Sequence, residues 1–107
     1  FVLSWVNPDE HLAKKTFEDY MFEGPLAALD AIEQATGERE VNIIGYCLGG
    51  TLTGSTLAYM AAKKDDRIKS ATYFVSLLDF SIPGELGVFI DEVQVANLEK
   101  RMNERGY

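Results

Sequence analysis

One cysteine, one histidine and three prolines are all that 107 residues contain of those types, and each scarcity excludes something. A lone cysteine forms no internal disulfide, and an unpaired thiol fits a reducing cytoplasm better than a secreted setting. No Cys/His/carboxylate spacing has the pattern of a metal site, and the residue pattern calls for no cofactor. No apolar run approaches the roughly 18 residues of a membrane span. Positive charge is sparse: ten Lys and Arg stand against seventeen Asp and Glu, for a net charge of −7. The basic residues are also scattered, so neither a nucleic-acid backbone nor an anionic lipid surface is a favoured partner. Phe1 is preceded by no initiator Met and no signal-peptide pattern, and the opening residues read as a strand already under way, so the chain is expected to be an internal fragment. What remains is an ordinary globular composition, 47% hydrophobic and 25% charged, enough for the modest core of at most one small domain.

Phe1 to Val6 is almost continuously apolar, and Asn7-Pro8-Asp9 ends it with turn chemistry, which predicts a short strand buried on both faces. Thr16 with Asp19 three residues on forms a capping signature. Apolar residues then recur at helical spacing from Phe17 to Ala35, with Gly37 as the stop. Gly24-Pro25 falls inside that run and should kink or split the helix. Val41 to Tyr46 predicts a second strand, Leu48 to Lys63-Lys64 a helix with Leu48, Leu52, Ser55 or Thr56, and Tyr59 on one face, and Ile68 with Ala71–Leu78 a third strand. The strands lack alternation, as in a sheet covered on both faces. The order amounts to a parallel βαβαβ unit. From Ser81-Ile82-Pro83-Gly84 the character changes to an apolar patch, Leu86–Ile90, and a helix from Asp91 to about Glu104. Residues 1–80 are therefore expected to be the central part of a catalytic core and 81–107 the beginning of a cap.

The chemistry concentrates in Gly45-Tyr46-Cys47-Leu48-Gly49-Gly50. An apolar strand that breaks into a glycine-flanked nucleophile and then a helix is the nucleophile elbow of the α/β-hydrolase fold, where a strained turn lifts the side chain clear of the sheet. Gly45 and Gly49, with Gly50 beside them, supply the room such a turn needs. Cys47 is placed at the start of a helix, where N–H groups and the dipole favour a thiolate. The backbone N–H of Leu48 is the candidate oxyanion donor. The competing account, that Cys47 is a small buried hydrophobe, leaves the glycine bracket and its strand–helix context unexplained. His11 precedes the elbow, against the chain order nucleophile, acid, histidine, and reads as a solvated loop residue. Asp79 ends the third strand at the sheet's carboxyl edge, where ligands bind, but acids there are commonly turn formers.

These residues together resemble the polyhydroxyalkanoate synthases, which polymerise hydroxyacyl-CoA into storage polyester. The resemblance is carried over essentially the whole chain by Phe1-Val2-Leu3-Ser4-Trp5-Val6-Asn7-Pro8-Asp9, Thr16-Phe17-Glu18-Asp19-Tyr20, Gly45-Tyr46-Cys47-Leu48-Gly49-Gly50-Thr51, Leu77-Leu78-Asp79-Phe80 and Phe89-Ile90-Asp91-Glu92. It is similar above all to class I synthases, which favour short-chain substrates such as (R)-3-hydroxybutyryl-CoA. The cysteine box alone is shared with dienelactone hydrolases, the alternative family, which does not account for Ser4-Trp5-Val6-Asn7-Pro8-Asp9. Pro25 departs from the synthase pattern. The resemblance implies that Cys47 is the nucleophile and that the family's catalytic Asp and His lie beyond Tyr107, with neither Asp79 nor His11 as counterpart. It further implies an acyltransferase that takes a CoA thioester as substrate without a cofactor, works as a homodimer and sits at polymer granule surfaces in the cytoplasm. This fragment alone is expected to be inactive.

Overall fold

The computed structural model describes residues 1–107, which divide into two compact units: Phe1–Ser4 with Thr16–Leu78, and Trp5–Lys15 with Asp79–Tyr107. In the first unit, strand β1 (Val41–Tyr46) and strand β2 (Ile68–Phe74) pair in parallel, from Val41 opposite Ile68 to Tyr46 opposite Phe74, with one register irregularity after Val41. Parallel strands need a crossover, and here it is helix α3 (Leu48–Lys63), closed by Lys64 in the left-handed conformation.

Helix α3 lies on the sheet face that carries Ile43, Gly45, Ala71 and Tyr73, and the approach at Gly45 is close: a Cβ there would stand 2.6 Å from Gly50 Cα. Its buried stripe runs through Gly50, Leu52, Thr53, Thr56 and Met60. Leu52 sits where the helical period puts it, the choice between Ser55 and Thr56 falls to Thr56, and Leu48 is turned to solvent. The opposite sheet face, with Ile44, Tyr46 and Phe74, is open in this structure rather than covered, and there Ser70 Oγ donates to Asn42 Oδ1 at 2.6 Å.

Ahead of the sheet, helix α1 (Phe17–Met21) and helix α2 (Ala27–Thr36) are joined without a break by one wide turn, Phe22–Leu26. Thr16 caps α1 through its side chain, and Asp19 returns the bond in a full capping box. The wide turn follows from Pro25, which has no N–H to give to residue 21 and whose ring crowds that carbonyl. The Ala27 N–H then reaches five residues back to Phe22 O. Gly37, at φ 77°, stops α2. Met21 and Leu29 from this helical stretch join Leu52 and Met60 of α3 as the buried apolar core, and Phe22 meets Tyr59 edge-on at 5.2 Å. Arg67, at the entry to β2, ties the far end together: Nη2 pairs with Asp65 at 2.7 Å and Nη1 with Asp30 of α2 at 2.6 Å.

Two expectations are corrected. Phe1–Val6 forms no strand; Phe1 and Val2 are almost fully exposed. A run of this composition becomes a strand only by pairing, and no strand lies beside it, so the sheet has two strands instead of three. Strand β2 ends at Phe74, four residues short of Leu78, because β1 turns away after Tyr46 and leaves it nothing to pair with; the Cys47 N–H to Phe74 O bond, 3.0 Å, is the last rung.

In the second unit a single turn, Glu10–Leu12, is capped by Asp9. Another short helical turn, Gly84–Phe89, precedes helix α4 (Glu92–Arg105), whose N-cap Asp91 accepts from Gln94 N at 2.8 Å. Val93, Leu98 and Met102 of α4 are exposed.

Candidate active site

Strand β1 delivers the chain to Cys47, and the turn happens at that one residue. Cys47 has φ 53° and ψ −124°, a conformation that a residue with a Cβ adopts only when its surroundings impose it, and it is the N-cap of α3. Its thiol is exposed. Its N–H is spent on Phe74 O and its carbonyl accepts from Gly50 N at 2.9 Å and Thr51 N at 3.3 Å, so both neighbours in space hold the turn. Leu48 and Gly49 occupy the first turn of α3, where backbone N–H groups have no intrahelical acceptor and point out of the helix end. An exposed thiol beside such N–H groups is the arrangement that can attack a carbonyl and hold the resulting oxyanion.

The three box glycines differ in what they do. Gly45 permits the strand–helix approach described above. Gly50 abuts Ser76, so that a Cβ there would overlap Ser76 Cβ and Oγ. Gly49, the other member of the bracket, has open space where a Cβ would go. Close packing of the elbow therefore falls on Gly45 and Gly50, and the expectation that Gly49 is small for packing is corrected: its side chain would project away from the strand. Ser76 was not legible as part of this site, and Thr51, although it closes the box, was not legible in its role. Thr51 Oγ1 donates to Leu77 O at 2.6 Å, and Ser76 Oγ donates to Phe74 O at 3.0 Å, but neither a lone hydroxyl in an apolar run, as at Ser76, nor one of several along a helix, as at Thr51, carries a sequence signal of where it points.

His11 and Asp79 both belong to the second unit. His11 is exposed on its short turn, its backbone N–H bound to Asp9 at 2.9 Å. Asp79 accepts from Ser81 N at 2.9 Å, and that bond, with the Ser81 hydroxyl, holds its carboxyl below the usual carboxylate range. This is turn chemistry. No group of three or more His, Cys, Asp and Glu side chains is arranged to hold a metal ion, and no helix is long and apolar enough to cross a membrane.

Comparison with known proteins bears on the fold and the family. The sequence model of the alpha/beta hydrolase fold matches residues 7–104. The chain is 58% identical over its full length to the poly(3-hydroxyalkanoate) polymerase subunit PhaC of Rhizobium meliloti and 54% identical over its full length to the poly(3-hydroxyalkanoate) polymerase of Methylorubrum extorquens, covering 18% of each. Over 95 residues, 89% of the chain, it is 37% identical to the corresponding subunit of Cupriavidus necator, of which it covers 16%. The chain thus spans less than a fifth of the length of these curated relatives, and the resemblance drawn from its motifs extends across all of it.

Proposed function

This chain belongs to the alpha/beta hydrolase fold family, and from that premise we propose that it is the nucleophile-bearing part of a polyhydroxyalkanoate synthase in which Cys47 carries the growing chain. One observation supports this most: an exposed cysteine held at φ 53° at the N-cap of a helix. The likeness to poly(3-hydroxyalkanoate) polymerases supplies the reaction class. In the proposed cycle the Cys47 thiolate attacks the carbonyl of an (R)-3-hydroxyacyl-CoA, of which 3-hydroxybutyryl-CoA is the preferred case. The Leu48 N–H donates a hydrogen bond to the developing oxyanion, the C–S bond to CoA breaks, and CoA leaves as its thiol. The 3-hydroxyl of a second hydroxyacyl-CoA, losing its proton to a general base, then attacks the acyl-Cys47 thioester; the C–S bond to Cys47 breaks, the Cys47 thiolate leaves, and the polyester, one unit longer, is carried on the second CoA, from which Cys47 takes it back by the same exchange.

Cysteine suits this chemistry because thioester-to-thioester exchange is nearly balanced, so the acyl group stays activated for ester formation. For the same reason no cofactor is needed beyond the thioester. Neither His11 nor Asp79 is the base or its partner in this proposal; both come from elsewhere in the full-length protein, so residues 1–107 alone are inactive. That protein acts as a homodimer in the cytoplasm, at the surface of its own polymer granules.

The test uses the full-length protein and (R)-3-hydroxybutyryl-CoA, following CoA release, polymer, and the mass of the Cys47 peptide. Stoichiometric acylation of Cys47 and loss of turnover in Cys47→Ala support the proposal. Polymer made by Cys47→Ala refutes it, and hydrolysis of a dienelactone without polymer formation assigns the chain to that other cysteine hydrolase class.

A further inference from the structure

We propose that Thr51 and Ser76 are positioning residues for the Cys47 elbow, acting through Val75–Leu78, a strap that folds back over the first turns of α3; the inference rests on Cys47 being the nucleophile. The strap begins with a strained residue. Val75 has φ 50°, a conformation that a β-branched side chain strongly disfavours, and it turns the chain at the point where β2 runs out of partner. Two strained residues, Cys47 and Val75, thus stand just beyond the ends of neighbouring strands, and such strain persists only where the surroundings over-determine it.

The surroundings are specific. Phe74 O is a shared acceptor: it takes the Cys47 N–H at 3.0 Å and the Ser76 hydroxyl at 3.0 Å, with Gly45 O the longer alternative for that hydroxyl at 3.4 Å. Ser76 also lies flush on Gly50, and Leu78 reaches over Gly54, where a Cβ would stand 2.7 Å from its Cδ2. On the helix side the bond is made by Thr51. Four Ser and Thr hydroxyls line α3, and three of them turn back to their own helix four residues earlier, Thr53 to Gly49 O, Ser55 to Thr51 O and Thr56 to Leu52 O. Thr51 alone reaches out of the helix, to Leu77 O at 2.6 Å, although the equivalent inward acceptor is Cys47 O itself. Its backbone N–H still returns to Cys47 O at 3.3 Å. The elbow is therefore gripped from the strand side through Phe74 O and from the helix side through Thr51, which sets the aim of the thiol and of the Leu48 N–H.

A positioning role predicts a loss in the chemical step, since small misplacements of a nucleophile cost rate more than binding. In the full-length protein, Thr51→Val keeps the shape and removes the donor. The expected result with (R)-3-hydroxybutyryl-CoA is a fall in kcat of roughly tenfold or more with KM changed less than about twofold, while Thr51→Ser stays within about threefold of the parent. Ser76→Ala, a milder change less prone to misfolding, moves kcat in the same direction. The rate of Cys47 alkylation by iodoacetamide falls in parallel in Thr51→Val. Parental kcat and alkylation rate in Thr51→Val, an equal loss in Thr51→Ser, or a loss confined to KM overturns the proposal. Turnover surviving in Cys47→Ala instead overturns the nucleophile assignment, and the alkylation rates, which do not depend on the reaction catalysed, still decide whether Thr51 positions the thiol.

Discussion

Gly49 and Gly50 are adjacent in the same box, yet the structure predicts opposite consequences for the same substitution. At Gly50 an added methyl group overlaps Ser76 Cβ and Oγ. Ser76 Cβ is one bond from the backbone and cannot swing aside, so the strap must lift off α3, breaking or stretching the Thr51–Leu77 bond. Overpacking of this kind costs about 1–3 kcal/mol, against a gain of roughly 0.5–1 kcal/mol from replacing a helical glycine by alanine. At Gly49 nothing beyond its own helical turn lies within 4 Å of the added methyl, so only the gain remains. Gly50→Ala should therefore lower the stability of the full-length protein by about 1–2 kcal/mol, and Gly49→Ala should leave it unchanged or raise it by up to roughly 1 kcal/mol. Urea unfolding of both variants makes the comparison. The double variant Gly50→Ala/Ser76→Gly removes both overlapping atoms and should recover at least about 1 kcal/mol as coupling energy. Equal stabilities for Gly49→Ala and Gly50→Ala, or no coupling with Ser76→Gly, would refute the packing argument.

Cys47→Gly relieves a strain of about 1–3 kcal/mol at φ 53° and gives back about 0.5–1 kcal/mol through the freer unfolded chain, so thermal or urea unfolding should show a net gain near 1 kcal/mol with turnover abolished; a net loss contradicts the strained elbow. Arg67 is 15% exposed, and its guanidinium bonds to Asp65 hold that carboxyl below its ordinary value while raising its own. A carboxylate whose folded value is depressed contributes stability that is complete above its unfolded value, near pH 4, and lost as pH falls through the folded one. Arg67→Met should then cost about 2 kcal/mol at neutral pH, and the gap between variant and parent should narrow below about pH 4 in urea titrations; a gap that stays constant to pH 2 contradicts the assignment.

The local grammar of this chain is written in its residues. The Thr16–Asp19 capping box, the wide turn at Pro25, the stop at Gly37 and the strand–cysteine–helix sequence at Gly45–Gly50 each depend on groups within a few positions of one another, and each forms as its residue types dictate. The period of α3 was legible for Leu52, left Ser55 or Thr56 open and failed at Leu48, because burial depends on what faces a helix, and in the first turn it is Gly50 that meets the sheet while Leu48 is exposed. Pairing is where sequence alone runs out. Phe1–Val6 has every strand propensity and no strand to join, while β2 stops where its partner turns away. Which glycine must stay bare, and which of four hydroxyls leaves its helix, were likewise decided only when residues 75–78 folded back onto α3: a contact between residues some 26 apart has no periodicity to announce it. That a cysteine would sit on an elbow was written in its immediate neighbours, whereas what holds the elbow in place arises only from residues 75–78 closing on α3.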